Sequence, residues 1–264
     1  MSFNAMQIAH DTVTYIKEGG YNGNKFNPDI SKAILYTPDD LKRLSVKILL
    51  NTNLTNVTLY NQDTCECAKR FIDSGYTCIL NFASARHIGG GFLNGAMAQE
   101  EAICRNSTLF ASISSDSAKE YYEYNNSHNE ELYSDYTIFS PCVEVIRNGK
   151  GELLKKPFTI SAITSPAVNV NRVRSASRTD IAKCMLQRAE YILKIAVDNH
   201  VDNIVLGAWG CGVFGNNPED ISEMFRYLLI DKGYIKAFKN VSFAVYGKNP
   251  RNYDAFKDTI KKYL

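Results

Sequence analysis

The sequence predicts an α/β fold built on a largely parallel sheet, and three observations carry that prediction. Short β-type runs alternate with segments of helical spacing. Residues 76–83 (YTCILNFA) form an unbroken apolar run of strand length, the pattern of a strand buried on both faces. The glycines are clustered: of 16, Gly89, Gly90, Gly91 and Gly95 fall in one short segment and Gly207, Gly210, Gly212 and Gly215 in another. Each cluster follows a predicted buried strand and precedes a predicted helix. Both should therefore face the carboxyl edge of the sheet, where such folds bind ligands.

Along the chain, residues 4–18 read as an amphipathic helix, with Met6, Ala9, Val13 and Ile16 at helical spacing and Gly19-Gly20 as a stop. Residues 21–28 read as loop, 33–37 and 57–61 as short strands, 64–74 as helix and 76–83 as the buried strand. A helix is expected over 99–113. Residues 114–136, where Tyr121, Tyr122, Tyr124, Tyr133 and Tyr136 interleave with asparagines and six acidic residues, read as a surface insertion with little regular structure. Strands are expected at 137–146 and 158–163, turning at 149–151. Ile181, Met185, Ala189, Ile192 and Ala196 mark a long helix over 179–199. Strand 203–208, helix 218–231, strand 241–246 and helix 252–263 complete the alternation. The expected division is an N-terminal extension, 1–56, packed on a main domain, 57–264, as one compact unit.

The chain has 264 residues, 45% hydrophobic and 22% charged, with a formal net charge of +2, an ordinary globular balance. It excludes a strongly basic surface as a whole-protein property, and with it the composition of a sequence-specific nucleic-acid binder. Residues 232–264, with eight Lys/Arg and two Asp/Glu, read as a solvated helix face. No window approaches the ~18 uninterrupted apolar residues of a membrane helix, and the start, with His10, Asp11, Lys17 and Glu18, lacks a secretory apolar core. A cytoplasmic or nuclear protein without a membrane partner is the expectation. Seven cysteines, an odd number without a C-x-x-C pair, and four histidines predict free thiols in a reducing compartment and no metal site.

Consecutive glycines let backbone N–H groups approach a ligand closely, and such loops ahead of a helix bind phosphate. Neither cluster is a P-loop, since no Gly-Lys-Ser/Thr follows, and the G-x-G-x-x-G fingerprint is absent. Two cradles on one edge suggest a diphosphate. After the first come Glu100 and Glu101, about 100° apart on a helix, so only one can address a given atom. They are either acidic residues suited to a helix start or acid/base groups. The helix dipole favours their charged forms, whereas a general acid must be protonated near neutrality. Repulsion, burial or a bound anion would be needed to reverse that.

GGGFLNGAMAQEE (residues 89–101) resembles the signature of the poly(ADP-ribose) glycohydrolases, and with NFASA before it and GAWGCGVFGNNP downstream the chain resembles their bacterial-type branch over nearly its whole length. The resemblance implies a macrodomain-like three-layer α/β/α fold with a mixed, largely parallel sheet and an N-terminal helical extension. It implies hydrolysis of ribose–ribose O-glycosidic bonds in poly(ADP-ribose), without a cofactor, mainly from chain ends. Carried onto this sequence, Glu101 is the acid/base and Glu100 holds the distal ribose. Asn81, Gly89, Gly90, Gly91 and Gln99 line the ribose and diphosphate. Gly210, Cys211, Gly212, Val213, Phe214 and Gly215 form the second diphosphate loop, with Phe214 on the ligand, and Tyr246 and Asn249 meet the adenine. Where many macrodomains carry a second asparagine this chain has Ser84. The implied ligand is ADP-ribose or its polymer, free or on modified proteins. A non-hydrolytic ADP-ribose reader and a hydrolase of protein-linked mono-ADP-ribose or another ADP-ribose derivative stand as alternatives. Trp209 reads as core, Cys211 as a close-packing thiol and His87 as an exposed loop residue.

Overall fold

The computed structural model describes residues 4–48, 54–247 and 250–263. Helix α1 (Ala5–Glu18) is capped by the Asn4 side chain and stopped by left-handed Gly19. The segment expected as loop instead makes a small hairpin, β1 (Gly20–Tyr21) with β2 (Asn24–Lys25). There follow β3 (Ile34–Tyr36), α2 (Pro38–Arg43), β4 (Asn56–Tyr60), α3 (Thr64–Ala68) and β5 (Thr77–Phe82). Helix α3 is shorter than predicted, giving way to a 3-10 turn over Ile72–Ser74.

The helix expected over 99–113 is two: α4 (Gln99–Asn106) and α5 (Leu109–Ile113), parted where extended Ser107 bridges to Val145. Residues 114–136 depart most from the sequence reading, because they contain α6 (Lys119–Ser127), and Tyr121, Tyr122 and Tyr136 are buried. The chain continues through β6 (Thr137–Arg147), β7 (Leu153–Ser165), α7 (Arg178–Asp198), β8 (Asn203–Leu206), α8 (Pro218–Arg226), β9 (Asn240–Ala244) and α9 (Pro250–Ile260). A single π turn, Tyr227–Asp231, extends α8.

Among the described residues, seven strands form the main sheet in the order β3-β6-β7-β5-β8-β9-β4. From β7 to β4 all neighbours are parallel; β6 runs antiparallel to both β7 and β3. The N-terminal segment thus contributes an edge strand to the central sheet. Successive residues of the middle strands feed opposite layers. Cys78 and Leu80 of β5 and Ile204 and Leu206 of β8 pack under α7, α8 and α9, while Ile79 and Val205 pack with Ile103, Leu109 and Tyr121 under α4, α5 and α6. Each such side chain removed from water is worth ~1.5–3 kcal/mol. Trp209 belongs to the first layer, fully buried, its indole N–H donating to the Ser165 carbonyl.

The site follows from this topology. After β5 the chain leaves over the face covered by α4–α6, and after neighbouring β7 it leaves over the other face as α7. The carboxyl ends of β5, β7, β8, β9 and β4 therefore bound an open crevice. The basic C-terminal segment makes surface ion pairs such as Arg251 with Glu219 and Lys262 with Glu223. Among the described residues no helix is long and apolar enough to cross a membrane. All seven cysteines are unpaired thiols.

Candidate active site

The first glycine loop, residues 84–95, joins β5 to α4, and Gln99 ties the two together. Its side-chain oxygen accepts from the Phe82 N–H at 2.8 Å, and its amide donates to the Leu80 carbonyl at 2.8 Å and the Thr64 hydroxyl at 3.0 Å. Read from sequence as a ligand contact, Gln99 has its polar atoms committed to the protein and fixes where the next two residues point.

Glu100 is 3% exposed. One carboxylate oxygen accepts from the Ser84 N–H at 2.8 Å and the other from the Asn81 amide at 3.2 Å, while that amide also reaches the Thr164 hydroxyl. Burial pushes the Glu100 carboxyl up to about 8, against the lowering effect of the Ser84 N–H and the Asn81 amide and with a further rise from the Glu101 charge. Desolvation thus overrides the helix dipole at this residue. The Ser84 hydroxyl accepts from the N–H groups of Arg86 and His87, so it shapes the loop. Tyr121 of α6 donates to the Ser84 carbonyl.

Glu101 points elsewhere, as neighbours on a helix must. Its Oε1 accepts from the Gly91 N–H at 3.0 Å, and its Oε2 is buried without a hydrogen-bond partner among the described residues. This changes the meaning of the glycine triplet. The Gly90 N–H donates to the His87 carbonyl and the Gly91 N–H to Glu101, so these two amides are occupied within the protein. What glycine supplies at position 90 is room: a Cβ there would collide with the Glu101 carboxylate. Gly89 packs behind, against Phe92 and Cys104.

The second loop, residues 207–217, is the more open cradle. Among the described residues the N–H groups of Gly212, Val213 and Phe214 make no hydrogen bond, and Gly212 and Val213 are exposed. Left-handed Gly210 lets the loop fold onto Asn216 and Ala167, its would-be Cβ lying 2.5 and 2.7 Å from them. Asn217 caps α8 through the N–H groups of Glu219 and Asp220. Burial pushes the Cys211 thiol up to about 12, which suits packing and not nucleophilic chemistry.

A cleft of about 860 Å³ opens along this edge, walled by Phe82, Gln99, Ala167, Gly210, Phe214 and Tyr246, and its volume suits a nucleotide-sized ligand. Gly212 and Val213 also line it, and Tyr246 offers a 75% exposed ring. Cys211 and Gly215 are not on its wall, and Asn249 lies outside the described residues. Nor do the two carboxylates line it: they stand against Asn81, Ser84 and Gly91, within two residues in sequence of wall residue Gln99. His87 is exposed. Sequence reading missed Phe82, Ala167 and the segment 61–66, which also borders the cleft. The available signal was position, since all three lie at or just beyond carboxyl ends of parallel strands.

A family model described as the microbial-type PARG catalytic domain matches residues 9–148. The structure of poly(ADP-ribose) glycohydrolase (PARG) from Thermomonospora curvata is 33% identical, with a TM-score of 0.90, over 97% of this chain and 98% of that one. The chain belongs to the microbial-type PARG catalytic-domain family. The Thermomonospora curvata enzyme bound to the inhibitor ADP-HPD matches at 33% identity and a TM-score of 0.86, over 96% and 98% of the two chains. The Deinococcus radiodurans enzyme in complex with ADP-ribose matches at 34% identity and 0.82, over 90% and 99%. A search of curated protein sequences finds no match. The family's α/β architecture is the one described above, with its mixed, largely parallel sheet.

Burial of Glu100 has a consequence for stability. Its carboxyl titrates near 8 when folded and near the usual 4.5 when unfolded, so the folded state binds the extra proton. The stability this contributes is complete below about 4.5 and is lost as pH rises to about 8. Glu100→Gln removes the titration, and the Asn81 amide can turn to accept from the new NH₂. Urea melts from pH 5 to 8.5 should show the variant gaining on the wild type with pH, by on the order of 2–4 kcal/mol at the upper end. Melts that stay parallel across the range would contradict the buried carboxylate.

Proposed function

We propose that the protein hydrolyses the ribose–ribose O-glycosidic bonds of poly(ADP-ribose), releasing ADP-ribose mainly from chain ends, on a macrodomain-like catalytic unit, 57–264, with residues 1–56 as an extension packed on it. The observation that carries this reading is Glu101: one carboxylate oxygen fixed by the Gly91 N–H, the other buried and without a hydrogen-bond partner among the described residues, beside a cleft of nucleotide size.

The terminal unit lies with adenine against Tyr246, its diphosphate on the open amides of the second loop beside Phe214, and its distal ribose near Glu100 and Asn81. As an oxocarbenium-like state develops, Oε2 of Glu101 gives its proton to the departing ribose oxygen. It then takes a proton from the attacking water, so the enzyme ends as it began. Glu100, largely protonated at neutral pH, places little second negative charge beside Glu101.

Incubation with polymer, followed by chromatography for free ADP-ribose, tests the reading. Accumulating ADP-ribose supports it. Polymer left intact while ADP-ribose binds would make the protein a reader instead. Tyr246→Ala should weaken ADP-ribose binding about 5- to 100-fold by calorimetry, the range for loss of an aromatic stacked on a base. Unchanged affinity would remove Tyr246 from the adenine site.

A further inference from the structure

The order of strands gives a bound polymer a direction. Tyr246 follows β9, the open amides of the second loop follow β8, and Asn81 and Ser84 stand at the end of β5. These strands are neighbours, so the adenine, diphosphate and distal ribose placed above lie in that order along the edge, and the bond to be broken is at the β5 end. The next strand beyond β5 is β7. The two end level, Phe82 pairing with Ser165, and the Asn81 amide reaches across to the Thr164 hydroxyl. Whatever is joined to the distal ribose therefore meets the segment that follows β7, residues 166–177.

That segment starts on the cleft wall at Ala167 and then runs along the second glycine loop. The Val170 N–H donates to the Phe214 carbonyl at 2.9 Å, and the Asn171 amide to the Val213 carbonyl at 2.8 Å. Val173 packs on the core. The carboxylates that reach the segment, Glu131 and Asp180, are bonded to N–H and hydroxyl donors of Ser175, Ala176 and Ser177. Two side chains in this fixed stretch have no such tie. Arg172 and Arg174 flank Val173 and are exposed, and among the described residues neither guanidinium makes a hydrogen bond or an ion pair.

The substrate's chemistry says what two unpaired arginines can take there. The scissile bond joins C1″ of the bound unit's distal ribose to the 2′ oxygen of the next unit's adenosine. That adenosine carries a diphosphate on its 5′ oxygen. The leaving group is thus anionic one nucleoside beyond the reaction centre, and guanidinium groups with no carboxylate to give up are suited to phosphate.

We propose that Arg172 and Arg174 bind the diphosphate of the leaving unit, so that the enzyme holds the polymer on both sides of the bond it breaks. The proposal rests on the polymer-hydrolase reading. Two substrates with the same scissile bond isolate it: ADP-ribose joined through C1″ to the 2′ oxygen of a second ADP-ribose, and ADP-ribose joined in the same way to adenosine, whose leaving group has no phosphate. Arg172→Gln with Arg174→Gln should lower kcat/KM on the dimer by about 2- to 30-fold, the range for two exposed ion pairs, chiefly through KM. The loss should shrink as salt rises, because exposed charges are screened. Turnover of the adenosine compound and affinity for ADP-ribose should stay at wild-type values. Equal losses on both substrates, no loss on the dimer, or a loss that salt leaves untouched would overturn the proposal. Wild-type protein that leaves polymer intact would defeat the hydrolase reading and the proposal with it, and that result comes from the wild type alone.

Discussion

Glu101→Gln is expected to lower polymer turnover by about 10²- to 10⁴-fold, the usual worth of general acid catalysis, while ADP-ribose still binds. Glutamine keeps an oxygen where Oε1 accepts from the Gly91 N–H, so the side chain has the same anchor. The atom that changes is Oε2, which is buried and makes no hydrogen bond in the free protein. Its replacement breaks no contact and removes only the ability to give and take a proton. Single-turnover digestion of polymer and calorimetry with ADP-ribose measure the two quantities separately. Wild-type turnover in the variant would take the proton-transfer role away from Glu101, and lost affinity would mean that this carboxylate binds instead. Glu100→Ala should behave differently. Both oxygens of Glu100 accept hydrogen bonds, and one of the donors is the loop's own backbone at Ser84. Its substitution is expected to disturb the loop and ligand affinity along with rate.

These two glutamates show how far the sequence reaches. Their pairing at a helix start, behind a glycine triplet and a buried strand, was legible because each signal is local: apolar periodicity, turn chemistry, helix polarity. The strands at the heart of the sheet were legible for the same reason, since Cys78, Ile79 and Leu80 must all be apolar if successive residues serve opposite layers. Tertiary partners were not legible. Residues 114–136 look like a polar insertion because tyrosine and asparagine carry polar tips, yet Tyr121 spends its hydroxyl on the Ser84 carbonyl and Asn125 bonds both the Tyr121 carbonyl and the Ser134 N–H. With partners elsewhere in the fold, those side chains can be buried. The break between α4 and α5 has a similar origin. Ser107 leaves helical geometry to bridge a strand far along the chain, and local propensity carries no trace of that. The unequal burial of the glutamates is likewise set by Asn81, Ser84 and Gly91, which approach from a strand and a loop.

Gly90→Ala should be nearly as damaging to turnover as loss of the carboxylate itself, through geometry alone. Gly90 has a φ of +60°, in the left-handed region, where a residue with a Cβ pays about 1–2 kcal/mol. The larger effect is steric. The new methyl would collide with Oε1 of Glu101, lie 2.9 Å from its carboxyl carbon and come within 3.2 Å of the nearer Glu100 oxygen. Either the loop retreats or Glu101 leaves the Gly91 N–H, and both outcomes displace the oxygen proposed to transfer the proton. A misplacement of about 1 Å at a reacting group is enough to cost 10²-fold in rate, so a loss of about that size or more is expected. Gly212→Ala is the contrast. Gly212 has nothing within 4 Å of its would-be Cβ and does not need a positive φ, so the fold should be indifferent to it. Any loss there should be in ADP-ribose affinity, because its open N–H belongs to the second cradle. Thermal melts, ADP-ribose calorimetry and polymer digestion on both variants distinguish the two loops. If Gly90→Ala digests polymer at the wild-type rate, the triplet is not what makes room for Glu101.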